Sequence, residues 1–182
     1  YNTGKGVPLN YPQARQWFLR AANKGDSGAM DNVGYMYDYG QGVAKDSAQA
    51  LQWYLKSAAL DDEVAYYNIG VFYKNGDGVT QDFAQAMQWY QKSAAKNYPS
   101  ALTALGDMYQ HGEGVTQNYA MAMQWYSKAA DKNDASAFYD LGVMYEQGLG
   151  LPQDERQSLQ LYQKDADNGV VFAMTEVGLY YQ

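Results

Sequence analysis

Few side chains in this sequence could do chemistry, and their spacing can be tested one motif at a time. Ser93-Ala-Ala-Lys96 has the Ser-x-x-Lys spacing with which penicillin-binding enzymes and β-lactamases set a nucleophilic hydroxyl one helical turn from a lysine. No Lys-Thr-Gly or Ser-Asp-Asn follows, and Ser93 shares its place in the pattern with Ala21, Ser57 and Ala129, as a packing position for small side chains would. His111 is the single histidine, so a histidine pair for zinc is excluded and a serine–histidine pair could form only there. Asp61-Asp62-Glu63 gathers carboxylates, but at a helix start capping and the helix dipole account for them without a metal. Gly76-Asp77-Gly78 could open a phosphate loop, yet no Gly-Lys-Ser/Thr follows. Trp89-Tyr90 and Trp125-Tyr126 could form an aromatic platform for a ligand or the seam of a repeating fold. No catalytic residue, metal ligand or cofactor is assigned.

Composition narrows the partners. The 182 residues are 47% apolar and 18% charged, enough to bury a core, and no run of 18 apolar residues could span a bilayer. A formal net charge of −7 disfavours nucleic acid and anionic membrane surfaces, which are held chiefly through Lys and Arg, and favours a neutral or basic protein surface. There is no cysteine, so disulfides, thiolate nucleophiles and thiolate metal sites are excluded. The compartment is open; bacterial periplasm or export is favoured over the cytoplasm.

The elements that position these groups repeat. Trp17, Trp53, Trp89 and Trp125 are spaced by 36 residues, with Leu161 next in the series, and each is followed by an aromatic: Phe18, Tyr54, Tyr90, Tyr126, Tyr162. Tyr1, Tyr37, Tyr73, Tyr109, Tyr145 and Tyr181 form another column, which explains much of the 19 tyrosines. Paired glycines recur from Gly4 and Gly6 to Gly148 and Gly150, followed by Val7, Val43, Val79, Val115 or Leu151, and then by a capping residue: Asn10, Asp46, Asp82, Asn118 or Asp154. That is a helix start. Ala50, Trp53, Tyr54 and Ala58 then fall on one helical face, and Pro12 sits in a first turn, where proline is tolerated. Gly25, Asp61, Asn97, Asn133 and Gly169 are types that accept the left-handed conformation ending a helix. A shorter helix follows, bearing a glycine at 34, 70, 106, 142 and 178 that would let a neighbour approach closely. Arg20, Lys56, Lys92, Lys128 and Lys164 complement the negative end of the longer helix.

Five copies of 36 account for 180 of the 182 residues. The expectation is a single array over 1–182, in registers 1–36, 37–72, 73–108, 109–144 and 145–180, cut from a longer array because neither end has a polar cap. The Trp-Tyr pair is expected in its core, since a buried large aromatic removes roughly 150–250 Å² from water.

Gly-x-x-Tyr on one helix and Ala-x-x-Trp-Tyr-x-Lys-Ala-Ala on the next resemble a tetratricopeptide pair, and the 36-residue period is similar to the Sel1-like repeat family. The resemblance spans essentially the whole chain. It implies an all-α, right-handed superhelical α/α solenoid of about five helical-hairpin repeats, acting as an adaptor or scaffold. Some bacterial members are cysteine-rich and secreted; this chain has none of their cysteines. Other members pair with secreted antibacterial phospholipases, which implies a second role as an immunity or inhibitor protein.

In such a solenoid the glycine-bearing helices usually line the concave side. One stripe of them is core: Ala29, Met30, Val33, Met36, Tyr37 and equivalents. The opposite stripe differs most between copies and is the expected partner-binding groove: Asp31, Tyr35 and Asp38; Tyr67, Val71 and Lys74; Thr103, Asp107, Gln110 and His111; Tyr139, Val143 and Glu146. Tyrosines among acids suit a protein interface, because Tyr offers contact area and one hydrogen bond. A glycan or cell-wall ligand on the same tyrosines, or a β-lactamase-like activity at Ser93, are the readings from other classes.

Overall fold

The computed structural model describes Gly6 and residues 8–182; Tyr1, Gly4 and Val7 of the repeat columns lie outside the described residues. Among the described residues there are ten α-helices and no strand: α1 Tyr11–Ala22, α2 Ser27–Tyr39, α3 Ser47–Ala58, α4 Glu63–Asn75, α5 Phe83–Ala95, α6 Pro99–His111, α7 Tyr119–Ala130, α8 Ala135–Gln147, α9 Glu155–Asp167 and α10 Val171–Tyr180. They form two compact units, divided between Lys96 and Asn97, with α1–α5 in the first and α6–α10 in the second.

The helix starts follow from the capping column. The side chains of Asn10, Asp46, Asp82, Asn118 and Asp154 each accept from a backbone N–H three residues on, at 2.9–3.0 Å, satisfying a donor the helix itself leaves unpaired. The stop column holds too: Asp61, Asn97 and Asn133 have φ of 62°, 62° and 59°. One expectation fails. Four of the glycine-bearing helices, α2, α4, α6 and α8, are not shorter, because they run to the residue before the paired glycines, giving α2 13 residues against 12 in α3; only α10, with 10 residues, is shorter than the helix before it.

Four glycine-bearing helices pack on the helix that follows: α2 on α3 and α4 on α5 in the first unit, α6 on α7 and α8 on α9 in the second; α10 packs back on α9, and its Gly178, expected to admit a neighbour, has nothing within 4 Å. In those four pairs the contact is a ring against bare backbone. A Cβ on Gly70 would lie 2.5 Å from the Tyr90 ring, and one on Gly106 would lie 2.4 Å from Tyr126, so only glycine allows this approach. Tyr54, Tyr90, Tyr126 and Tyr162 are accordingly buried, among Ala65 and Ile69 in the first unit and Ala122, Leu141 and Met144 in the second.

The tryptophans are not core, contrary to the expectation for the pair. Trp17 is 53% exposed. Trp53, Trp89 and Trp125 are half-buried at the rim. Adjacent helical positions point about 100° apart, so when the tyrosine enters the seam the tryptophan must flank it. There it meets the basic column: Lys56, Lys92 and Lys128 lie 4.0, 4.1 and 4.2 Å from the rings of Trp53, Trp89 and Trp125. These cation–π contacts add to the place of the column in the last turn of each helix, where it is expected to serve the helix dipole.

Candidate partner-binding face

Within the first unit, α2 and α4 carry six of the expected groove residues. Tyr35 is 41% exposed and stacks on Tyr39, itself 63% exposed, with ring centroids 4.3 Å apart. Asp38, Tyr67, Val71 and Lys74 are half-buried. The Tyr67 ring lies 5.7 Å from Tyr90, and the Lys74 carbonyl accepts from Gln81 Nε2 at 2.8 Å. Burial raises the Asp38 carboxyl above its ordinary value, Lys45 opposing and Asp77 adding to the shift.

Asp31 departs from the expectation. It is 9% exposed, beneath the start of α4, and faces Ser57 and Asp62 rather than solvent. Burial first, and then the Asp62 charge, push its carboxyl up to about 8, so it is protonated at neutral pH. Asp62 goes the other way: burial alone would raise it, but hydrogen bonds from Ser27, Val64, Ala65 and the Asp31 carboxyl hold it below the ordinary range. Asp31 is thus a structural acid clasping the cap of α4, the first helix of the next hairpin.

In the second unit Thr103 is likewise withdrawn, 8% exposed. The remaining positions on α6 and α8 come together with the seam tyrosines. Asp107 accepts from the Tyr126 hydroxyl at 2.7 Å, and Glu146 accepts from Tyr162 at 2.9 Å and from Tyr180 at 3.3 Å. Tyr139 lies 5.6 Å from Tyr162 and 5.4 Å from Phe172. Val143 is half-buried; the Gln110 carbonyl accepts from Gln117 at 2.8 Å; His111 is exposed at the end of α6. Burial and the neighbouring acids raise the phenols of Tyr54, Tyr126 and Tyr162, which keeps them protonated as donors.

The other chemical candidates dissolve into the fold. Ser93 is fully buried and donates to the Glu63 carbonyl at 2.7 Å, the role Ser57 plays toward the Ser27 carbonyl at 3.1 Å. Lys96 is turned outward onto Asp61. The hydroxyl and amine that a Ser-x-x-Lys mechanism would join are therefore engaged elsewhere. Asp61 and Asp62 accept hydrogen bonds, and no cluster of acids and histidine among the described residues could hold a metal.

Sequence reasoning missed Asp140, on α8 between the variable positions. Burial, followed by the charges of Asp107, Asp134 and Asp165, raises its carboxyl to about 7. The signal was weak, since its column reads Asn32, Asn68, Ala104, Asp140 and Glu176, polar but irregular. It also missed that the groove acids are acceptors for seam tyrosines.

Comparison with known proteins agrees with this architecture. The Sel1 repeat model matches residues 1–26, 27–62, 64–98, 99–134 and 135–170, with copies 2, 4 and 5 opening at the start of a glycine-bearing helix. A Sel1 repeat protein from Oxalobacter formigenes is 36% identical with a TM-score of 0.92, covering 100% of this chain and 74% of that one. A protective antigen of uropathogenic Escherichia coli with an SLR fold is 37% identical with a TM-score of 0.85, over 98% of this chain and 38% of that one. An immunity protein from Pseudomonas aeruginosa is 27% identical with a TM-score of 0.67, over 90% of this chain and 60% of that one. No match is found among curated proteins. Sel1 repeat proteins bind other proteins, and the scaffold is typically non-enzymatic.

Proposed function

The chain belongs to the Sel1 repeat family, and from that premise we propose that it is a non-enzymatic scaffold or adaptor whose glycine-bearing helices hold another protein. The observation that carries this reading is the division of labour along those helices. The stripe facing the seam repeats, whereas the other stripe changes from Tyr35 to Val71 and from Asp107 to Val143 at equivalent places. An exposed position such as Tyr35 can differ by selection for a partner. Tyr35 and Tyr39 offer stacked, exposed rings beside the acid Asp38, and the chain's net charge of −7 suits a neutral or basic partner surface. No helix among the described residues is long and apolar enough to cross a membrane.

The test is affinity for the partner co-purified from the native cell, measured calorimetrically. Tyr35→Ala combined with Tyr39→Ala is expected to weaken binding at least tenfold while leaving the melting temperature within a few degrees. Unchanged affinity would remove this face from the reading.

A second reading, as an immunity protein clasping a toxic enzyme such as a secreted antibacterial phospholipase, is favoured by the likeness to the Pseudomonas immunity protein. Its test is growth of cells expressing a secreted antibacterial phospholipase of the host that carries this gene: rescue by the wild type, lost in the Tyr35→Ala, Tyr39→Ala variant, supports it. Failure of the wild type to rescue removes it.

A further inference from the structure

The outer seam of the second unit holds a surface cavity of about 610 Å³ between α7, α8 and α9. Its floor is Phe138, Leu141 and Leu161, its wall Ser127, and Lys164 stands over it. The equivalent place in the first unit is filled. There Trp89 and Leu55 pack with Tyr66 on the core around Ile69, and Lys92 lies 4.1 Å from the Trp89 ring and 5.8 Å from the Tyr66 ring. Thirty-six residues is the period, so two periods carry Leu55 to Ser127, Tyr66 to Phe138, Trp89 to Leu161 and Lys92 to Lys164. Both substitutions that open the site remove bulk: Trp becomes Leu and Leu becomes Ser. The lower half of the sandwich is kept to the same dimension, for Lys164 lies 5.8 Å from the Phe138 ring. What the second unit lacks is the ring that would sit between the aliphatic floor and the cation.

We propose that this cavity is a socket for an exposed tryptophan side chain of a partner protein, which would complete in trans the stack that Trp89 completes in cis. An indole suits it on three counts. The floor is apolar, with Phe138 and Leu141 below a tenth exposed and Leu161 half-buried. A cation stands where the Trp89 stack has one, and cation–π attraction is strongest to an indole. The polar rim, with Asp131, Asn133 and Asn168, can take the indole N–H or the flanking peptide groups. The lining of the socket shares no residue with the Tyr35 and Asp107 stripes, so it does not rest on the reading of that face.

The test uses the whole chain, with N-acetyl-tryptophanamide as probe and ¹³C-labelled methyl groups of Leu141, Leu161 and Ala130 observed by NMR. Saturable shifts at these methyls are expected, with binding at least tenfold weaker for N-acetyl-leucinamide. Leu161→Trp, which restores the residue of the other copies, should abolish the shifts and shield its own indole from acrylamide quenching; Ser127→Leu should weaken them severalfold. A peptide bearing a central tryptophan should bind at least tenfold tighter than the amide, and the same peptide with alanine should not bind. Absence of saturable shifts, shifts undiminished in both variants, or a peptide no tighter than the free amide would each overturn the assignment to a protein tryptophan.

Discussion

The outer seams of the two units are built on one plan and finished differently. In the first, Tyr66, Trp89 and Lys92 form a closed stack, tied further by Tyr66 donating to Asp61 at 3.0 Å and by Lys96 pairing with the same carboxylate. In the second, Phe138 has no hydroxyl to donate, Leu161 has no ring, and Asn133 and Asn168 replace the ion pair. The inner contact between glycine and tyrosine is the same in both: a Cβ would lie 2.5 Å from the ring at Gly70 and at Gly142. A repeat protein can thus keep the contact that specifies its fold and vary the one beside it, because the tyrosine carries the burial and the tryptophan stays half-buried at the rim.

Converting the closed seam into the open one should have the largest effect. Trp89→Leu with Leu55→Ser removes two packed side chains from the first unit and should cost about 2–4 kcal/mol, read as a lowered midpoint in urea by circular dichroism. The inner seam offers the next contrast. Gly106→Ala drives a methyl group into the Tyr126 ring and should cost about 1–3 kcal/mol, whereas Gly178→Ala, with nothing within 4 Å, should stabilise α10 by up to about 1 kcal/mol. Equal effects of the two would mean that ring contact is not what requires glycine.

Both units carry a carboxyl whose acidity is weakened by burial in the fold. Asp140 in the second unit sits at about 7 in the fold, against 3.8 ordinarily. The folded state therefore holds a proton that the unfolded chain has released between roughly pH 4 and pH 7, and stability falls as pH rises through that window. Asp140→Asn removes the titration: it should raise the melting temperature at pH 8, by the equivalent of about 1 kcal/mol or more, and leave it nearly unchanged at pH 4. Asp31, at about 8, gives the first unit a similar decline. The smallest effect concerns the cations. Lys92→Ala loses a cation–π contact to Trp89 and should cost about 0.5–1 kcal/mol, while Lys164→Ala, with only the 5.8 Å approach to Phe138, should cost less.

Much of this was legible in the residues. The period and both capping columns are demanded by local backbone chemistry, which acts the same way in every copy, and the close-approach glycines recur because the same tyrosine ring meets them in four copies. The placement of the tryptophan was not, because adjacency in sequence was read as adjacency in the core; the hint was Leu161, a loss tolerated in the Trp column while the neighbouring column stays aromatic from Phe18 to Tyr162. Asp31 was misread as a groove residue because what buries it comes from outside its own helix, the cap of the next hairpin, about 30 residues away in sequence; Thr103 is likewise buried. The acceptor roles of Asp107 and Glu146 depend on how far a tyrosine hydroxyl reaches past the seam, a distance no periodicity encodes.

The most direct test is a photo-crosslinking scan in the native cell, with p-benzoyl-phenylalanine placed in turn at Tyr35, Tyr39 and His111 on the glycine-bearing helices and at Gln52 and Gln88, exposed on α3 and α5. The account predicts one protein partner captured from Tyr35 and Tyr39 and none from Gln52 or Gln88. Capture from Gln52 and Gln88 alone, with Tyr35 and Tyr39 silent, would contradict it.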